Sequence, residues 1–94
     1  EVLSVESIVK EDIVIDLKEK YYIIIGCFRV VENADIYSEE VNAQGYKTRV
    51  LYRENKCNRV AIGPYKDKDQ CIRSLPIIKK KINSSAWVLT DIKD

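Results

Sequence analysis

The chain has 94 residues, enough for one hydrophobic core but too few for two independent ones. Hydrophobic residues make up 46% and charged residues 33%, which is the makeup of a folding globular chain and lies outside the apolar-poor range of disorder. Sixteen Lys and Arg against fifteen Asp and Glu leave a net charge of +1, which excludes a global field that would draw the chain to nucleic acid or anionic membrane.

Residues 1–20 form a lead-in, in which Asp12-Ile13-Val14-Ile15-Asp16-Leu17 alternates imperfectly, as a short edge strand or a linker would. Tyr21-Tyr22-Ile23-Ile24-Ile25-Gly26-Cys27-Phe28 is β-branched and aromatic, predicting the central strand with a bulge allowed at Gly26. From Glu32 to Gln44, apolar Ala34, Tyr37 and Val41 fall on one helical face, and Gly45 stops the helix. Thr48–Tyr52 and Cys57–Ile62 predict a hairpin around the polar turn Arg53-Glu54-Asn55-Lys56, closed by Gly63-Pro64. Asp67 and Gln70 have capping-box spacing ahead of a second helix that carries Cys71, Leu75, Ile78 and Ile82 on one face. Pro76 inside it is expected to kink or split the helix. Ala86–Thr90 predicts a last strand, and residues 91–94 a tail.

The order strand, helix, strand, strand, helix, strand is that of an α+β, ferredoxin-like (RNP-like) fold. It predicts a four-stranded antiparallel sheet with both helices on one face and the other face open as a binding platform. Alternation turns Ile23, Ile25, Val60 and Ile62 inward, and Ile24, Arg59 and Ala61 outward.

The longest apolar stretch, Tyr21–Ile25, falls far short of the roughly 20 residues of a membrane span, so any membrane link is expected from outside this chain. No signal peptide is visible, and the start at Glu1 without methionine suggests a piece of a longer protein. The sequence contains no histidine, which removes any Cys–His dyad, and no Gly-rich phosphate loop. Three cysteines without CxxC spacing predict no zinc site, and no cofactor is expected.

Several motifs resemble the SPOR (sporulation-related repeat) domain family. Ile25-Gly26-Cys27-Phe28 is similar to its Val-Gly-Ser-Phe-like first strand, Glu32-Asn33-Ala34 and Ala43-Gln44-Gly45-Tyr46 to the ends of its first helix, and Arg59-Val60-Ala61-Ile62-Gly63-Pro64-Tyr65 to its third strand. Leu75-Pro76 with Ala86-Trp87-Val88-Leu89 looks like the Bacteroidota-type version, and the match spans residues 21–90. The resemblance implies a noncatalytic module in the periplasm or cell envelope. Such a module binds peptidoglycan glycan strands lacking stem peptides, where amidases work at division sites.

Carried over by position, the glycan-binding residues are Ile24, Cys27, Cys57, Arg59 and Trp87. The family often has Gln, Ser and a large aromatic where this chain has Ile24, Cys27 and Cys57, so three polar or stacking contacts are changed. Trp87 offers a flat surface to a pyranose ring or fills a gap as a strand residue, and Arg59 donates to sugar oxygens or pairs with a charge across the sheet. Cys27 and Cys57 are expected on neighbouring strands of one face, where a disulfide requires them to lie directly opposite. Two small apolar side chains are expected instead. Cys71 is assigned to the core, Lys79-Lys80-Lys81 to a solvated helix end, and Tyr37 and Tyr46 to packing. With little net charge, glycan binding is expected to weaken only slightly with salt. The rivals are a protein-interaction module that has lost glycan affinity and an RRM-like RNA binder. Arg59-Val60-Ala61-Ile62 lacks the paired aromatics of the second.

Overall fold

The structure, a computed structural model, describes residues 19–92, so the lead-in pattern at Asp12–Leu17 lies outside the described residues. In chain order the elements are β1 (Glu19–Phe28), α1 (Val31–Ala43), β2 (Thr48–Leu51), β3 (Asn58–Tyr65), α2 (Lys68–Lys81) and β4 (Trp87–Ile92). The strands form one antiparallel sheet in the order β2-β3-β1-β4, which puts the Tyr/Ile-rich β1 beside β3 at the centre and β2 and β4 at the edges. This is the ferredoxin-like arrangement that the element order predicted. β1 and β4 pair from Glu19↔Ile92 onward, so these two strands reach into the expected lead-in and tail.

Both helices cover the same sheet face. Ile23 and Ile25 of β1, Val60 and Ile62 of β3, Ala34 and Val41 of α1, and Cys71 and Ile78 of α2 form one buried cluster. That is the inward set expected from alternation and helical spacing. The polar Ser38 enters this interior satisfied: its hydroxyl lies 2.9 Å from the Thr48 hydroxyl, which also donates to the Ser38 carbonyl at 2.9 Å. Gly45 ends α1 at φ 104°, a conformation costly for a residue with Cβ, and its N–H donates to the Asn42 carbonyl at 2.9 Å.

Three local expectations are corrected. β3 does not stop at Gly63-Pro64 but continues to Tyr65, which pairs with Tyr21. Pro64 lacks an N–H, yet it falls beyond the end of the β2 pairing and beside a register shift in β1, so no ladder bond is demanded of it. Pro76 does not split α2, which runs unbroken over 14 residues. The carbonyl left without its helical donor belongs to Ile72, on an exposed part of the helix where water can satisfy it. Asp67 caps α2 by accepting from the Asp69 N–H at 2.9 Å, one residue earlier than the capping-box geometry requires.

The sheet face that α1 and α2 do not cover is apolar at its centre. Tyr22, Ile24 and Ala61 form a second buried cluster there, flanked by Leu51 and Leu89. Cys27, Arg59 and Trp87 are among the residues that stay accessible on that face.

Candidate functional site

The site begins with an irregularity in β1. Ile24 pairs with Ala61 but Gly26 pairs with Val60, so Ile25 has no opposite number on β3. Strict alternation would put residues 24 and 27 on opposite faces; the extra residue resets the phase and brings Ile24 and Cys27 to the same one. Gly26 lets two rings pack closely against the bulge, because a Cβ there would lie 3.1 Å from the Phe28 ring and 3.2 Å from the Tyr37 ring. Those rings close over it with centroids 5.4 Å apart. The Ile25 carbonyl, past the last β1–β4 pair at Ile24↔Trp87, accepts from the Asn83 side-chain amide at 2.7 Å. This bond ties the loop before β4 to the bulge.

The β2–β3 turn is held at the other side. Cys27 and Cys57 form a disulfide with Cα atoms 5.4 Å apart, which replaces the expectation of two free apolar side chains. The registration explains it. Cys27 pairs with Arg59 and Phe28 with Asn58, so the chain entering β3 at Cys57 passes beside the outward-facing Cys27. Asn58 supplies a second clamp: it is 5% exposed, accepts from the Arg53 N–H at 3.0 Å and donates to the Phe28 carbonyl at 3.2 Å. Asn55 turns the chain at φ 61°, a left-handed conformation that asparagine tolerates.

Between these clamps lies an open groove of about 320 Å³ that brings Ile24, Cys27, Cys57, Arg59 and Trp87 together. Their roles differ. Trp87 is 42% exposed and Ile24 only 2%, so Ile24 offers a ligand almost no side-chain surface and packs with Tyr22 and Ala61. The Arg59 guanidinium sits over the Trp87 ring, 5.1 Å from its centroid, a cation–π contact at the groove wall. Burial, then the neighbouring Arg53 charge, lowers the Arg59 pKa below that of a free guanidinium. Cys27 and Cys57 contribute a disulfide wall and no thiol. Sequence reasoning missed Arg53, Asn83 and Ser85, which also line the groove. They stand in loops, where no periodicity assigns a face.

Among the described residues no group of three His, Cys, Asp or Glu could hold a metal ion, and no helix is long and apolar enough to cross a membrane. The described residues give the groove guanidinium and amide hydrogen-bond donors beside an aromatic face.

The sequence model described as the SPOR domain matches residues 17–90. Among solved structures, the solution structure of the peptidoglycan-binding domain of the B. subtilis cell wall lytic enzyme CwlC is similar with a TM-score of 0.57 and 26% identity, over 82% of this chain and 92% of that one. The Spor protein DedD shares the fold with a TM-score of 0.64 at 19% identity, over 83% of this chain and 42% of that one. No curated protein sequence matches the chain.

Proposed function

The chain belongs to the SPOR domain family, and on that basis we propose that it is a noncatalytic module binding peptidoglycan glycan strands stripped of stem peptides. The groove walled by Arg59 and Trp87 is the binding site. Its role is to bring a larger protein to the cell wall or division site, on the periplasmic or outer side of the membrane. Leu75-Pro76 and Ala86-Trp87-Val88-Leu89 favour a Bacteroidota-type version of the family.

The observation that carries this reading is the Arg59–Trp87 pair. A sugar ring has an apolar C–H face and a polar rim, and here an accessible indole and a guanidinium stand together over one groove. The similar CwlC domain, described as peptidoglycan binding, supports the assignment. The absence of histidine from the sequence argues against hydrolysis by the module itself.

The test is co-sedimentation with purified peptidoglycan before and after amidase digestion. The wild type should pellet more strongly with digested wall, and Arg59→Ala and Trp87→Ala should each lower affinity about tenfold, as loss of a charge-assisted bond or a stacking surface does. Equal pelleting of all three proteins would refute the site.

A further inference from the structure

The groove does not end at the disulfide. Arg53 and Cys57 are shared with a second depression of about 580 Å³, lined also by Arg29, Lys56, Val31 and Asn58. Four cationic side chains, Arg29, Arg53, Lys56 and Arg59, therefore line one continuous surface, and none of the described residues that line it is a carboxylate. Glu54 of the same turn and Glu32 at the start of α1 line neither depression. None of the four cations forms an ion pair among the described residues. Arg53 and Arg59 are close enough for the first charge to depress the pKa of the second. Like charges fixed next to each other without a counter-ion repel, and an anion seated between them removes that repulsion. The turn that carries them is held rather than floppy, by the Cys27–Cys57 bond and by the two hydrogen bonds of Asn58.

Resting on the glycan-binding reading above, we propose that the Arg53–Arg59 pair, with Arg29 and Lys56 along its flank, reads the free lactyl carboxylates of stripped glycan. Hydrolysis of the amide between the muramic acid lactyl group and its stem peptide releases the amine with the peptide and leaves a carboxylate on the sugar. A strand bearing peptides has a neutral amide at the same place. A planar guanidinium can hold a carboxylate through two parallel hydrogen bonds, which it cannot do with that amide. The same cluster makes the chain a local cation despite its net charge of +1, so binding should depend on salt more than that net charge implies.

Calorimetric titration with amidase-stripped glycan oligosaccharides, and with the same material after its carboxylates are converted to methylamides, tests this. The wild type should prefer the acid form roughly tenfold at low salt, as a charge-assisted pair allows, with the preference shrinking as salt rises. Arg53→Gln should narrow the preference to within about twofold. Lys79→Gln, which removes one charge from the end of α2 outside both depressions, should keep it in full. Equal affinity of the wild type for acid and amide overturns the carboxylate assignment while leaving glycan binding in place. Retention of the full preference by Arg53→Gln overturns the role given to that residue, and binding of neither form overturns both readings.

Discussion

Each cysteine follows from its place in the fold. Cys71 is fully buried on the inner face of α2, and burial pushes its thiol above the ordinary 9.0. The thiolate is the reactive form, so this group should be inert in the native protein. Alkylation by iodoacetamide at neutral pH should leave the folded chain unmodified and add a single label after unfolding; rapid native labelling would contradict the packing described. The core position of Cys71 was legible from helical spacing with Leu75 and Ile78, because a period of 3.6 assigns a face directly. The bond between Cys27 and Cys57 was not. Alternation names a face but not a register, and the register here depends on the one-residue bulge at Ile25. The same limit applies to Ile24, whose outward direction was readable but whose burial among Tyr22, Ala61, Leu51 and Leu89 required the neighbouring strands.

The β2–β3 turn is the element on which the site most depends, since it carries Arg53 and Lys56 and leads into Arg59. It is attached to β1 by the disulfide, which closes a separation of 30 residues in sequence. Replacing both cysteines by serine should lower stability by about 3 kcal/mol, mainly by freeing the unfolded chain. Urea unfolding would show this as a lower midpoint relative to the oxidised wild type. An unchanged midpoint would mean that the crosslink does not constrain the fold. Asn83 anchors the opposite side of the groove by holding the Ile25 carbonyl, a contact spanning 58 residues of sequence and invisible to any local motif. Pro76 shows a different limit. Its penalty was expected from the residue alone, but the cost depends on whether the orphaned Ile72 carbonyl faces water, and that is a property of the packed helix.

At the scale of the whole molecule the order of elements specified the architecture, because two amphipathic crossovers in an antiparallel sheet of this order bury their stripes against one face. The apolar spacing in Ala34, Tyr37, Val41 and in Cys71, Leu75, Ile78 carried that information. What composition concealed is the distribution of charge: a nearly neutral chain gathers four cations, with no ion pair among the described residues, along one groove and its continuation. The sheet face that α1 and α2 leave uncovered has an apolar centre beside this cationic margin, and Trp87 lines the groove. Trp87 is the sole tryptophan of the sequence, so its emission reports on the groove without any label. Titration of the wild type with amidase-stripped glycan oligosaccharides should produce a saturable change in tryptophan fluorescence whose midpoint matches the calorimetric affinity. Calorimetric binding with the Trp87 emission unmoved to saturation would place the glycan elsewhere and contradict the account.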